Sequence, residues 1–328
     1  MQRVVVVIPI CDEEANLPAV FERLRAVFDR LAVDPGVVGE ALYVNDGSTD
    51  GSLSVILQQC RQDPRFGALD LSRNFGHQAA IMAGLEEVDA DAVIVMDGDL
   101  QDPPELIPEL VRAWREGAGV VHADRRTRQE TGVRRVGASL FRSALEWLSD
   151  FPIPANIGVF GLLDRRALDE LKRLPEKNRF FPGLRAWIGF EQRVIPYDRQ
   201  ARAGGNPSQS LGRLVRYALD GIFSFSYKPL RLMVGIGSVI STLGFLLAAH
   251  FIAKRLLGIE EAQTGFTTLV TLVLFLGGVQ LIATGLLGEY LARIYDEVKR
   301  RPSYIVRQRV RASSAAEPSP GPVNVPHR

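Results

Sequence analysis

Cysteine is nearly absent from this sequence of 328 residues, in which only Cys11 and Cys60 occur. The two cysteines have no metal-type spacing, and they suit a reducing compartment better than a disulfide framework. Free cysteines in proteins are usually buried or half-buried, so two ordinary thiols are the simplest interpretation.

The sequence also lacks an excess of charge of either sign. Its 39 basic and 38 acidic residues give a formal net charge of +1, so nothing indicates a binder of polyanions and no nucleic-acid partner is expected. A cleavable signal segment is missing as well, because the acidic residues Asp12, Glu13 and Glu14 follow directly after the apolar run from Met1 to Pro9. We therefore expect the N-terminal part to stay in the cytosol.

Short β-branched runs alternate with helix-period segments through the first 125 residues. This is the pattern of βαβ units around a mostly parallel sheet, so it predicts an α/β fold. The predicted strands are Arg3–Ile8, Ala41–Asn45, Ala68–Leu71, Ala92–Met96 and Val120–Ala123. The predicted helices include Leu17–Leu31, with Asn16 as the N-cap, and Pro103–Trp114. Polar clusters follow several of these strands, which is where such sheets bind ligands.

The chain is longer than one hydrophobic core usually supports, so a main domain over residues 1–210 and a second module are expected. We predict a helix over Val133–Leu148 and interpret the segment around it as the acceptor half of the main domain. A juxtamembrane helix is predicted over residues 211–230. The amphipathic part, residues 211–225, fits an interfacial helix and a core-facing helix equally well.

Two uncharged apolar stretches follow, Leu232–Ala253 and Phe266–Leu287, each with about the 20 residues that cross a bilayer core. A buried hairpin of a soluble protein is the alternative, but two consecutive stretches of this kind are rare in soluble domains. Basic residues flank the pair on both outer sides, at Lys228, Arg231, Arg293, Lys299, Arg300 and Arg301. The positive-inside rule then places both flanks in the cytoplasm.

The remaining parts of the chain complete the predicted organisation. Residues 289–311 are expected to form a cytosolic C-terminal segment, and residues 312–328, rich in Ser, Pro and Ala, a disordered tail. Small-residue pairs in the first apolar stretch, such as Gly237 with Ser241, permit close helix packing and a homo-oligomer.

The segment that ends the fourth predicted strand, VMDGDLQDPP from Val95, carries the clearest chemistry. Side chains two apart on a strand point the same way, so Asp97 and Asp99 can present two carboxylates to one site, and Gly98 lets a ligand approach the backbone. Carboxylate oxygens suit Mg²⁺ or Mn²⁺, which would neutralise a pyrophosphate leaving group. A capped strand-to-helix turn with solvated acids is the structural alternative.

Several longer stretches resemble the family 2 glycosyltransferases, and within them the polyprenyl-phosphate glycosyltransferases. The matching stretches are VVIPICDEEANLP from Val6, VNDGSTDGS from Val44, LSRNFGHQAA from Leu71, VMDGDLQDPPELIPEL from Val95, LDGIFSFSYKPLRL from Leu219 and GEYLARIYDEVKRRPSYIV from Gly288. Together they cover nearly the whole chain apart from its tail.

The resemblance implies a GT-A fold, which is a Rossmann-like and mostly parallel sheet, followed by two transmembrane helices. It assigns the donor nucleotide to Pro9, Glu13, Asp46, Asp97 and Gly98, and a Mg²⁺ or Mn²⁺ ion to Asp97, Asp99 and Gln101. It assigns the acceptor phosphate to Arg125, Arg134 and Arg202, for which a solvated surface charge is the alternative. Asp97, Asp99 and Arg125 are the implied catalytic residues. His77 is better interpreted as a packing or hydrogen-bonding residue of the donor site than as a catalytic one.

The chain departs from the related pattern at several positions. Relatives often carry G-D-F-R where this chain has Val159 and Gly161, two aspartates where it has Asn45 and Asp46, and G-E-S/T-K at residues 205–208. The missing carboxylate at residue 159 does not abolish the predicted reaction, because a phosphate monoester with a second pKa of about 6 is already an anion at neutral pH.

The expected function is therefore inverting transfer of a sugar from a nucleotide-sugar, with UDP-sugars favoured by the resemblance, to undecaprenyl or another polyprenyl phosphate. The expected location is the cytosolic face of a bacterial cell membrane, with both termini cytosolic. A catalytically silent membrane scaffold that binds a nucleotide-sugar or a partner transporter is one alternative. A processive polysaccharide synthase is the other, although such an enzyme is expected to have a Q-x-x-R-W element and more spans.

Overall fold

The computed structural model describes residues 1–33, 37–125, 157–176, 180–197, 228–257 and 265–312. The chain divides into two compact units. The α/β unit contains residues 1–135, 153–208 and 302–328, and the hairpin unit contains residues 136–152 and 209–301. The predictions for Val133–Leu148, for residues 211–225 and for most of the C-terminal tail lie outside the described residues.

The α/β unit is built on a sheet with eight strands among the described residues. These are β1 (Gln2–Ile10), β2 (Val37–Asn45), β3 (Phe66–Leu71), β4 (Ala92–Val95), β5 (Val120–Arg125), β6 (Ile157–Asp164), β7 (Gln192–Tyr197) and β8 (Val306–Val310). Their order across the sheet is β7-β5-β6-β4-β1-β2-β3-β8. Only β6 and β8 run against the others. The mostly parallel α/β sheet and all five predicted strands are confirmed.

Helices cover the sheet. They are α1 (Leu17–Val33), α2 (Ser52–Gln62), α3 (His77–Glu87), α4 (Ile107–Arg115), α5 (Arg165–Arg173) and α6 (Phe181–Trp187). Helix α1 matches the prediction, and Val20 N donates to the Asn16 carbonyl at the start of the helix. The second predicted helix is in two parts, a 3₁₀ turn over Pro104–Leu106 and then α4. Pro108 has no backbone N–H to donate to the Pro104 carbonyl, so the hydrogen bond that would extend α4 back to residue 104 cannot form.

The hydrophobic core lies on both faces of the central strands. Residues Val4–Val7 of β1 are all buried, as expected for a parallel strand covered by helices on both sides. Helix α1 contributes an apolar stripe, and the rings of Phe21, Tyr43 and Phe66 pack within about 5 to 6 Å of one another. A shift in register would move these buried apolar side chains out of the core. Their burial therefore fixes the register of β1, β2 and β4, and with it the positions of the loops that follow.

Strand β8 is a feature that the sequence analysis did not anticipate. Residues 289–311 were expected to be a separate C-terminal segment, but Val306–Val310 pair antiparallel with β3 at the edge of the sheet. The strand has the sequence VRQRV, and its three central residues are exposed. A short, charged strand of this type is typical of a sheet edge, and it carries little apolar pattern from which to predict it.

The described part of the hairpin unit consists of two long helices, α7 (Lys228–Leu256) and α8 (Phe266–Val298). At 1.5 Å per residue they are about 44 and 50 Å long, which exceeds the roughly 30 Å of a bilayer core. Both contain a stretch long and apolar enough to cross a membrane, over residues 230–247 and 271–298, with apolar side chains exposed. The two predicted apolar helices are therefore present.

The close packing of α3 on the sheet generates the first prediction. A Cβ atom on Gly84 would lie 2.4 Å from Val7 Cγ1 and 2.9 Å from Val44 Cγ2. We expect Gly84→Ala to lower the free energy of unfolding by about 1 to 3 kcal/mol, since overpacking forces neighbouring atoms apart. Chemical denaturation of the purified protein measures this, with Ala79→Ser, at a part-buried position of the same helix, as the control. An unchanged midpoint for Gly84→Ala would contradict the packing.

Candidate active site

Three parallel strands end side by side at one edge of the sheet. Pro9 of β1 pairs with Val44 of β2, and Met96, which follows β4, donates its N–H to the carbonyl of Val7. The polar loops after β1, β2 and β4 therefore emerge next to one another. This edge is where open α/β sheets bind ligands.

The turn that contains Asp97 and Asp99 is held by a buried carboxylate. Asp102 is fully buried, and it accepts a hydrogen bond from the Tyr197 hydroxyl at 2.6 Å and one from the Asp97 N–H at 3.4 Å. Within the turn, Asp99 Oδ1 accepts from the Gln101 N–H at 3.1 Å. Both Asp97 and Asp99 are part-exposed at the end of β4. Sequence reasoning missed Tyr197, because its partner lies 95 residues away.

Strain and close packing mark the same turn. Leu100 adopts a left-handed backbone conformation with φ of 62°, which is uncommon for a residue other than glycine and is found preferentially at functional sites. A Cβ on Gly98 would lie 2.3 Å from Ile10 Cδ1. A side chain at this position would therefore displace the terminal methyl group of Ile10, and contact between Gly98 and a donor stays a prediction.

His77 joins the acidic residues into one cluster. It begins α3, and its Nε2 lies 3.3 Å from Asp97 Oδ1. Although 48% of its side chain is exposed, desolvation lowers its pKa, and charges on Asp46, Asp99 and Asp102 offset part of that effect. Carboxylates from the ends of β2 and β4 therefore surround one imidazole. His77 is thus a close polar neighbour of Asp97, and its hydrogen-bonding role in the donor site stays a prediction.

Asp46 holds the loop that leads to His77. Its Oδ1 accepts from the Phe75 N–H at 2.7 Å and its Oδ2 from the Gly76 N–H at 2.9 Å. Gly47, with φ of 65°, lets the same loop approach, since a Cβ there would lie 2.4 Å from the Asn74 nitrogen. The adjacent Asp and Gly therefore fix the conformation of the β3–α3 loop, residues 72–76. Direct contact between Asp46 and the donor stays a prediction.

The loop after β1 is tied to the loop after β2 by reciprocal hydrogen bonds. Thr49 N donates to Asp12 Oδ1 at 2.7 Å, and Gly51 N donates to Glu14 Oε2 at 2.8 Å. Glu13, one of the predicted donor-binding residues, lies between these contacts and donates its N–H to Ser52 Oγ at 3.0 Å. Pro9 is buried in β1. The neighbours of Glu13 thus join the two loops, a role that sequence reasoning did not assign to them.

The predicted acceptor residues are only partly covered by the structure. Arg125 is the last residue of β5, whereas Arg134 and Arg202 lie outside the described residues. A different arginine is present at the substituted strand β6. Arg185 is fully buried, and it donates to the carbonyls of Val159 at 3.1 Å and Gly158 at 2.9 Å.

Arg185 occupies the space that a side chain at residue 161 would need. A Cβ on Gly161 would lie 2.4 Å from the carbonyl oxygen of Val121 in β5 and 2.5 Å from Arg185 Nη1, so both the neighbouring strand and the guanidinium exclude a side chain at this position. Burial lowers the pKa of Arg185 to about 9, which leaves it charged at neutral pH. Relatives often carry an arginine at the position of Gly161, and in this chain a buried guanidinium from α6 lies beside that position.

The oxygen atoms at the end of β4 fit a divalent ion. Asp97 and Asp99 offer carboxylate oxygens at a part-exposed edge, which suits Mg²⁺ or Mn²⁺, whereas Gln101, the third predicted ligand, is buried. Among the described residues, no group of three or more His, Cys, Asp or Glu side chains forms a preassembled metal cage. Mg²⁺ commonly binds one or two carboxylates and takes its other ligands from substrate phosphates and water, so two aspartates are sufficient.

Comparison with protein-family models identifies the family of the chain. Residues 5–172, about half of the chain, match the model of glycosyl transferase family 2. The chain belongs to glycosyltransferase family 2. Residues 228–294 of this glycosyltransferase match the GtrB C-terminal hairpin, which coincides with α7 and α8.

Similar members of the family align over nearly their whole length. An uncharacterized glycosyltransferase of Synechocystis sp. is 43% identical over 92% of this chain and 93% of its own. The bactoprenol glucosyl transferase of Shigella phage SfII is 39% identical over 93% of this chain and 98% of its own. Among solved structures, a mannosyltransferase from Pyrobaculum calidifontis in complex with GDP-Man and Mn²⁺ is 14% identical, covers 92% of this chain and 88% of its own, and has a TM-score of 0.48.

Cys11 offers a probe of the site. Its exposed thiol follows β1 and accepts a hydrogen bond from Asn74 Nδ2 at 3.2 Å. We expect a nucleotide bound at the strand ends to cover this thiol, so UDP with Mg²⁺ should slow its alkylation by N-ethylmaleimide, followed by mass spectrometry. Cys60 is the internal control, because burial raises its pKa to about 11 and its reaction should stay slow with or without nucleotide. Equal Cys11 rates at saturating nucleotide would place the nucleotide elsewhere.

Proposed function

We propose that this glycosyltransferase transfers a sugar from a nucleotide-sugar, most simply a UDP-sugar, to undecaprenyl or another polyprenyl phosphate at the cytosolic face of a bacterial cell membrane. The observation that carries the proposal is full-length similarity to bactoprenol glucosyl transferases, which extends over both the catalytic domain and the hairpin. An acidic strand-end site and an apolar hairpin in one chain suit one water-soluble and one lipid substrate.

The donor half of the reaction draws on the loops after β1, β2 and β4. We propose that Asp97, Asp99 and Gln101 hold Mg²⁺ or Mn²⁺, which neutralises the diphosphate as the sugar bond breaks. Asp102 and Tyr197 fix the turn that presents these oxygens. His77 orients Asp97 from the neighbouring loop. Preorganised groups of this kind stabilise developing charge without further rearrangement.

We propose that α7 binds the acceptor lipid. The described residues that line a groove of about 640 Å³ lie on one face of α7. Lys228 and Arg231 are at one end, and the other lining residues are Leu232, Gly235, Ile236, Val239 and Ile240. Cations beside an apolar groove at a membrane surface suit a lipid phosphate. The acceptor phosphate is already anionic at neutral pH, so it needs orientation more than deprotonation. A single in-line displacement, with inversion of the anomeric centre, follows.

Strand β8 supports the proposed topology. Because β8 pairs with β3, the chain after α8 must lie on the same side of the membrane as the α/β unit. Two crossings by α7 and α8 satisfy this requirement. Basic residues on both outer flanks support the cytosolic side.

Loss of one metal-binding carboxylate tests the enzymatic function. We expect Asp99→Ala to lower metal-dependent transfer by roughly a hundredfold or more, because the developing diphosphate charge loses its counter-ion. Purified protein in detergent, a panel of radiolabelled nucleotide-sugars and undecaprenyl phosphate give the rate, with Mg²⁺ or Mn²⁺ present.

The matched control is Asp169→Ala, which removes an exposed carboxylate from α5 and should leave transfer unchanged. If the wild-type protein binds nucleotide but transfers no sugar from any donor, the enzymatic proposal fails and the silent scaffold replaces it. Unchanged turnover of Asp99→Ala removes Asp99 from the metal site.

Neutralising the basic end of the α7 groove tests the acceptor site. We expect Lys228→Gln with Arg231→Gln to raise the KM for undecaprenyl phosphate roughly thirtyfold, since each of the two cations near a lipid phosphate contributes about 1 kcal/mol. The KM for the nucleotide-sugar should not change. Lys254→Gln, at the other end of α7, is the matched control. An acceptor KM equal to that of the wild type would exclude this groove.

A further inference from the structure

Strand β8 and the residue before it contact Ser72, which is the first residue of the β3–α3 loop. Ser72 donates its N–H to the carbonyl of Ile305 at 2.8 Å, and Arg307 Nη2 donates to the carbonyl of Ser72 at 2.5 Å. Both backbone groups of Ser72 are therefore engaged by a segment more than 230 residues later in the chain. The first residue of the loop is therefore held by a segment that does not belong to the βαβ units.

Arg307 also contacts a buried carboxylate below the loop. Its Nη1 lies 3.4 Å from Asp70 Oδ2, and Asp70 Oδ1 accepts from Asn45 Nδ2 at 2.7 Å. Only 2% of Asp70 is exposed, and a buried carboxylate needs such partners. Asn45 directly precedes Asp46, which binds the other end of the same loop. Arg307 and Asp46 thus hold the two ends of one loop.

We propose that Arg307 is a positioning residue of the nucleotide-sugar site, and that β8 keeps the β3–α3 loop in the conformation that places His77 against Asp97. The proposal rests on the proposed function for the identity of the ligand. It assigns a role in the reaction to the segment that follows the hairpin, which the sequence analysis treated only as a C-terminal extension. Arg307 acts through the loop and touches no substrate.

The neighbouring arginine on the same face of β8 separates positioning from general edge stability. Arg309 pairs with Glu87 of α3 at 3.0 Å, and no contact between Arg309 and the β3–α3 loop is found among the described residues. Arg307 and Arg309 are similarly exposed, at 59% and 57%. A purely structural role of β8 predicts the same effect for both, whereas the proposed role predicts an effect on the loop for Arg307 only.

Full-length Arg307→Ala, Arg307→Lys and Arg309→Ala in detergent test the proposal by hydrogen exchange and by calorimetric titration with UDP and Mg²⁺. For Arg307→Ala we expect amide exchange of Phe75 and Gly76 to quicken roughly tenfold, and UDP affinity to fall by a similar factor, as for loss of a hydrogen bond to a charged group. Arg309→Ala should leave both unchanged. Both effects should be smaller for Arg307→Lys than for Arg307→Ala. The single ammonium group can reach Asp70, but it lacks the two separate nitrogens with which arginine contacts Asp70 and the Ser72 carbonyl.

Wild-type exchange at Phe75 and Gly76 in Arg307→Ala would overturn the proposal, as would equal effects of Arg307→Ala and Arg309→Ala. These measurements do not depend on sugar transfer. A wild-type protein that binds UDP but transfers nothing would defeat the proposed function and leave the positioning role standing. If the wild-type protein binds no UDP, hydrogen exchange at the amides of Phe75 and Gly76 is the remaining test of the positioning role.

Discussion

The site depends on one buried carboxylate that binds two backbone amides. Asp46 accepts from Phe75 and Gly76, and this fixes the loop from which His77 reaches Asp97. Backbone amides bound to an ionised carboxylate form some of the stronger hydrogen bonds in proteins. Because Gly47 allows the close approach, the loop and the end of β2 behave as one piece. The register of the sheet positions the other polar residues of the site, because the polar loops after β1, β2 and β4 begin at the same edge.

Local patterns predicted the central part of the fold well. The apolar runs of β1 to β5 are bounded by Asp, Gly and Asn, and α7 and α8 are uncharged over long stretches, so periodicity and length identify them. Strand β8 could not be predicted in this way, because an edge strand with two arginines has no buried face. Contacts such as Tyr197 with Asp102 join residues 95 positions apart. No local pattern encodes such a pair, and only the packed sheet brings it together.

The departures from the family pattern have physical explanations in the fold. Glycine at residue 161 is required because the Val121 carbonyl and Arg185 both fill the adjacent space, and the guanidinium donates to two carbonyls of β6. Asn45 is suited to its position because its amide donates to buried Asp70, where a second carboxylate would repel the first. The residues at positions 45 and 161 are therefore matched to their immediate surroundings in this fold.

The position of β8 in the chain has a consequence for biosynthesis. The ribosome makes β3 early and β8 only after both hairpin helices, so the outer edge of β3 stays unpaired until almost the whole polypeptide has been translated. In the proposed topology, in which α7 and α8 each cross the membrane once, the last strand can join the sheet only after the hairpin has returned the chain to the side on which β3 lies. A chain inserted with a single crossing would then leave β3 without this neighbour.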